Sequence, residues 1–187
     1  MTDIDYSQDF SADKFINPKE VINQLNVAEG SVIADFGCGM GHFSLEMSKV
    51  AGANGVVYAF DILPEKLESV ISGAKGIGMT NIVAKRANLE KIKGSGLNDN
   101  SVDWIVLKDM LFQNKDKKAI LTEAFRILKS GGKALIVEWD MKETSIGPAK
   151  ELRISEEALK IVAQKVGFVP IEKIAAGNFH FAFVFAK

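Results

Sequence analysis

Three observations predict an α/β fold built on a mostly parallel sheet. Apolar, strand-like runs alternate with amphipathic stretches of helical period along most of the chain. The connecting stretches are long enough for crossover helices, which join parallel neighbours in the right-handed sense. The last two apolar runs, "FVPIEKIAAG" and "HFAFVFAK", are separated only by a short turn around Gly177 and Asn178, so they pair antiparallel. The expected architecture is a three-layer sandwich around a seven-stranded sheet, mostly parallel, with an antiparallel C-terminal hairpin strand near one edge.

The elements follow in order. Residues 1–16 are polar and acidic and are expected to be loosely ordered, with one domain over 17–187. "NPKEVINQL" opens with Asn17 as N-cap and Pro18 at the first helical position. "SVIADF" is a buried-type strand, and "HFSLEMSKVAG" is a helix closed by Gly52. "GVVYAFDI" is the second strand; Pro64 opens the next helix, which ends in glycines. "NIVAKRAN" is a short third strand, and "NDNSVDWIVLKDM" holds the fourth. "KDKKAILTEAFRILKSGG" carries Ile120, Ala124, Ile127 and Leu128 at helical spacing, and Gly131 or Gly132 is its expected stop. "KALIVEWD" is the fifth strand, and "ISEEALKIVAQKVG" is a helix capped by Ser155 and stopped by Gly167.

Composition narrows the function classes. The 187 residues are 47% hydrophobic and 25% charged, with a formal net charge of -1. No global basic footprint marks a nucleic-acid or anionic-membrane partner. Cys38 is the only cysteine, which excludes an internal disulfide and a multi-cysteine metal site within the chain. Two histidines far apart in sequence make no metal site. The N-terminus lacks a signal-peptide pattern and no run reaches the ~20 apolar residues of a membrane span, so a cytoplasmic location is expected.

The stretch "VIADFGCGMGHFS" is the first specific one. Gly37, Gly39 and Gly41 alternate directly after a strand, with Asp35 two places ahead. In open parallel sheets ligands sit over the carboxyl ends of the strands. Glycines let backbone approach a ligand closely, and the following helix offers free N–H groups. A dinucleotide turn wants G-x-G-x-x-G, but the third required position here is His42. A carboxylate beside the turn suits a ligand end of positive charge and would repel a pyrophosphate. Asp61 ends the second strand, twenty residues after Gly41, and can hold both ribose hydroxyls in a bidentate grip.

"DFGCGMG" resembles the glycine loop of the class I S-adenosylmethionine-dependent methyltransferases. "YAFDI", "RILKSGGKALIVEW" and the C-terminal hairpin agree with that family in register, over roughly residues 17–187. Within it the chain is similar to the ubiquinone/menaquinone-biosynthesis and arsenite-methyltransferase-like branch. The resemblance implies a single Rossmann-like methyltransferase domain, with S-adenosylmethionine as cofactor and S-adenosylhomocysteine as product. It implies that Gly37, Cys38, Gly39 and Gly41 pass against the amino-acid and ribose part of the cofactor, and that Asp35 helps fix the loop and the methionine ammonium. By the same resemblance Ile62 packs on the adenine, Asn88 and Leu89 meet its amino edge, and Lys108 and Asp109 neighbour the sulfonium. Asn88 departs from the aspartate many members carry. "LKDM" replaces the Asn/Asp-Pro-Pro-Tyr motif of base-modifying members, which argues against a nucleic-acid amine. An ammonium pointing inward would repel the sulfonium, so Lys108 is expected to pair with a carboxylate or an anionic substrate group.

The expected activity is methyl transfer to a small-molecule acceptor. RNA or protein methylation and cofactor binding without catalysis are the alternatives, with a nucleotide oxidoreductase disfavoured by His42. Arsenite chemistry needs several thiolates, and only Cys38 is present. The reversed last strand begins at the active-site edge, which brings Asn178 and His180 there; Glu138 and Asp140 end the fifth strand on the same edge. His180 is the leading candidate base, since imidazole titrates near neutrality, with Glu138 and Asp140 as further candidates. "DMKETSIGPAKELRIS" is expected to be a substrate loop. Neither the acceptor nor the oligomeric state is specified by these motifs.

Overall fold

A computed structural model describes residues 16–187; the loosely ordered segment expected over 1–16 lies almost wholly outside them. The strands are β1 (Val32–Phe36), β2 (Val56–Asp61), β3 (Ile82–Arg86), β4 (Val102–Lys108), β5 (Leu128–Trp139), β6 (Val169–Ile174) and β7 (His180–Ala186). They form one sheet in the order β3-β2-β1-β4-β5-β7-β6. All the neighbours from β3 to β5 pair parallel, while β7 runs antiparallel to both β5 and β6. The expected mostly parallel sheet is what forms, with the reversed strand one place in from the edge. The order reverses between β1 and β4, where open sheets bind ligands beyond the strand ends.

Helices α1 (Pro18–Ile22), α2 (His42–Ala51), α3 (Pro64–Gly76), α4 (Lys117–Ile127) and α5 (Glu156–Val166) cover the two faces. Val21, Phe43 and Met47 pack with Ile33, Val57 and Val106 on one face. Ile120, Leu121, Leu159 and Ala163 pack with Ala34, Ile105 and Ile136 on the other. The alternation of Ile33 and Ala34 between these cores is the strand period of two at work. Asn17 accepts from the Lys19 and Glu20 N–H groups, and Ser155 accepts from Ala158 N–H at 3.2 Å, as the caps required.

One boundary differs from expectation. Helix α4 stops at Ile127, not at Gly131 or Gly132, and Leu128 already belongs to β5 with φ -68° and ψ 134°. The cause is tertiary. The carbonyls left open by the last turn of α4 are taken by distant donors. Asn100 N–H donates to Arg126 O and Ser101 N–H to Ile127 O. The Lys187 ammonium donates to Phe125 O at 2.7 Å and Leu128 O at 2.8 Å.

Candidate active site

The turn between β1 and α2 hangs on the end of β2. The N–H groups of Gly37 and Cys38 both donate to Phe60 O, at 2.9 and 2.8 Å. The three glycines all hold positive φ, at +73°, +51° and +84°, which L residues adopt only at a cost. A Cβ on Gly37 would stand 2.5 Å from Met110 Sδ, and one on Gly41 would stand 2.7 Å from Val70 Cγ2. A Cβ on Gly39 would meet nothing within 4 Å. Gly37 and Gly41 are thus needed by the protein itself, while Gly39 keeps a cleft open.

Asp61 ties this turn to the next strand end. Its Oδ2 accepts from Gly39 N–H and its Oδ1 from Leu63 N–H, both at 3.0 Å. A carboxylate has about four lone-pair positions, so each oxygen can also accept from a hydroxyl. Asp35, 2% exposed, accepts from Ser44 Oγ at 2.5 Å. Burial raises its pKa to about 6, against the lowering effect of Ser44.

Two clefts meet along this turn. The first, about 390 Å³, is lined by Gly37, Gly39, Asp61, Ile62, Asn88 and Leu89, with Met110 and Asn114 from the loop after β4. The second, about 410 Å³, is lined by Gly37, Cys38, Gly39, His42, Phe43, Lys108 and Asp109. Both are of the size that holds a small ligand. Apart from buried Asp35 and Gly41, which support the turn from beneath, every residue assigned above to the cofactor lines one of the two. Asn88 Oδ1 also accepts from Glu90 N–H at 3.1 Å, which fixes the turn after β3.

The three candidates for proton transfer stand elsewhere. His180 has a side chain only 2% exposed, packed on Trp139 with ring centroids 4.3 Å apart, and its Nε2 is 3.2 Å from Asp109 Oδ1. Glu138 is fully buried beneath the loop after β4, where its Oε1 accepts from Leu111 N–H at 2.6 Å. Burial raises its pKa to about 7. Asp140 accepts from Lys142 N–H at 2.9 Å and opens the turn of the 140–153 loop. None of the three lines either cleft.

The sequence reading missed Met110, Gln113, Asn114 and Lys66, which line the first cleft. The first three lie in or just after "LKDMLFQN", so their position beyond a strand end was the available signal. Which of them face the cleft is decided by the turn that Glu138 holds. Lys108 pairs with Asp109, a carboxylate being one of the two kinds of partner expected for it.

An open glycine turn over the switch point of a parallel sheet, with Asp61 at the end of β2 and two adjoining clefts, is the arrangement of a Rossmann-like, small-ligand-binding fold. The profile of a methyltransferase domain family matches residues 28–176, and the chain belongs to that family. A crystal structure of an S-adenosylmethionine-dependent methyltransferase from Aquifex aeolicus is 25% identical, with a TM-score of 0.84 over 95% of this chain and 93% of that one. The ubiquinone/menaquinone biosynthesis C-methyltransferase of Haemophilus ducreyi is 32% identical over 119 residues, 63% of this chain and 45% of that protein. The arsenite methyltransferase of Mus musculus is 26% identical over 164 residues, 79% of this chain and 44% of its own length. The chain spans about half the length of such curated relatives. The family's cofactor is S-adenosylmethionine, with S-adenosylhomocysteine as product. The residues present fit it: Asp61 for the ribose, an open Gly39, and Ile62 and Leu89 for the adenine. No described helix is long and apolar enough to cross a membrane.

Proposed function

We propose that this chain transfers a methyl group from S-adenosylmethionine to a small-molecule acceptor. The observation that carries this is the glycine turn itself, hung between Phe60 O and Asp61 so that it forms a wall shared by two clefts. The first cleft takes the adenosine and the second takes the methionine end together with the acceptor. The bound cofactor supplies an electrophilic methyl group. The protein's own work is to align the acceptor with it and to keep water out. Asp61 holds the ribose, Ile62 packs on one face of the base, and Asn88 with the backbone of Leu89 reads its amino edge. Asp35 supports the turn from below. Cys38 lies 9% exposed, and burial followed by Asp35 and Asp61 pushes its thiol above the usual range. One buried thiol is no arsenite site, which takes several soft thiolates.

The test is a thermal melt with S-adenosylhomocysteine, S-adenosylmethionine, NAD or no ligand. A ligand at ~100 times its dissociation constant adds about 2.7 kcal/mol, a rise of roughly 5–10 °C for a chain this size. A rise with the two sulfur compounds and none with NAD is expected. No rise with either sulfur compound overturns the reading.

A further inference from the structure

Asp109 is an unusual residue for its place. It follows the last residue of β4, holds φ +54°, and stands in the wall of the second cleft. Lys108 grips its Oδ2, and His180 Nε2 lies 3.2 Å from its Oδ1. The histidine comes from β7, the reversed strand, where it pairs across from Trp139 of β5. Both ring nitrogens and Asp109 Oδ1 are buried and none makes a hydrogen bond of good geometry; Nε2 and Oδ1 face each other as a close polar contact. An unpaired N–H costs more than an unpaired lone pair in such a place, so the ring's N–H belongs on Nε2, turned toward Asp109. The titratable groups around Asp109 are Lys108 beside it, His180 from β7 and buried Glu138 from β5. Burial acts to raise the Asp109 pKa, but His180 and Lys108 outweigh it and hold the carboxyl below its ordinary range.

We propose that Asp109 is the group that meets the methyl acceptor, and that His180 is a positioning residue that holds its carboxylate toward the second cleft. This rests on the methyltransferase reading. A fixed carboxylate in this wall selects an acceptor that presents a cation, an N–H or an O–H beside its nucleophilic atom. It aims that group and leaves His180 no direct contact with the acceptor. Trp139 carries the arrangement outward. Its ring packs on His180, the Arg153 guanidinium lies 5.7 Å from its centroid, and Gly147 leaves it room. The base of the 140–153 loop thus braces the ring that braces Asp109.

The probe is sinefungin, a cofactor analogue with an amine where the sulfonium methyl would stand. Its affinity is compared with that of S-adenosylhomocysteine by calorimetry, for the unaltered protein and for Asp109→Asn, His180→Phe and His180→Gln. Asparagine tolerates the positive φ. Phenylalanine keeps the ring on Trp139 without the donor, and glutamine restores an N–H. The unaltered protein is expected to prefer sinefungin about tenfold, the weight of a charge-assisted hydrogen bond. Asp109→Asn and His180→Phe lose that preference, while circular dichroism spectra that match the unaltered protein report an intact fold. His180→Gln recovers part of it. No preference in the unaltered protein, or a preference that survives Asp109→Asn, overturns the role of Asp109. A preference lost in Asp109→Asn but kept in His180→Phe overturns the role of His180. Failure of the unaltered protein to bind S-adenosylhomocysteine overturns the proposed function, and this inference with it.

Discussion

Glu138 has no exposed surface, and one of its oxygens, Oε2, has no hydrogen-bond partner. Its other oxygen anchors the loop that brings Met110 and Asn114 to the first cleft. Burial favours the neutral acid, so the folded chain holds this proton to about pH 7. The unfolded chain releases it near pH 4.5. The stability tied to this group is fully present below pH 4.5 and lost as the pH rises through about 7. Glu138→Gln keeps an oxygen for Leu111 N–H and removes the buried charge. The variant is expected to melt close to the unaltered protein at pH 5 and above it at pH 8, by an amount on the order of 3 kcal/mol. Chemical denaturation at the two pH values checks this. Sequence reading put Glu138 at the right edge of the sheet. It did not reveal that the side chain turns inward under a loop, because both faces of β5 are buried and strand alternation no longer separates core from site.

At the scale of elements, the glycine turn separates two kinds of requirement. Gly41→Ala puts a methyl against Val70 and forces a left-handed φ, and is expected to cost about 3 kcal/mol of stability. Gly39→Ala meets no protein atom and is expected to cost about 1 kcal/mol, yet to abolish the melting shift with S-adenosylhomocysteine. Equal losses in both variants would count against the cleft assignment. The 140–153 loop is a second unit, in which one side chain makes most of the long-range contacts. Arg153 donates to the carbonyls of Pro148, Asp140 and Lys142 at 2.7–2.9 Å, and its Nη2 reaches Thr144 Oγ1 and Ile146 O. Arg153→Ala is expected to speed amide exchange at least tenfold over residues 141–152 and leave α4 protected. Lysine recovers little, since it lacks the planar fork. The loop was legible as a region without periodicity, and its clamp was not, because the carbonyls involved carry no sequence signature.

Over the whole molecule, two sets of carboxyls oppose each other. Asp35 and Glu138 are raised by burial to about 6 and about 7. Glu123, Asp109 and Asp140 feel burial too, but their partners win: Arg126 and Ser95 for Glu123, His180 and Lys108 for Asp109, the Lys142 backbone and ammonium for Asp140. The lowered set contributes stability above pH ~4 that is lost as the pH falls through their folded values. The raised set loses its contribution between about pH 4 and 7. Stability without ligand is therefore expected to peak near pH 4–5 and to fall toward neutrality, as urea midpoints across that range would show. A midpoint still rising from pH 5 to 7 would contradict the buried states of Asp35 and Glu138.

The order of elements, the parallel sheet with its reversed last strand and the cofactor class were determined by local sequence. Periodicity, caps and a backbone turn that only glycines allow are properties of short stretches. The end of α4, the inward turn of Glu138 and the pairing of Asp109 with His180 were decided by tertiary structure alone. Each depends on groups far apart in the chain: Lys187 on the carbonyls of α4, Glu138 under Leu111, and β7 laid beside β5 so that His180 arrives behind the carboxylate of β4's end. Burial then sets which of these groups carry charge, and burial is a property of the packed molecule.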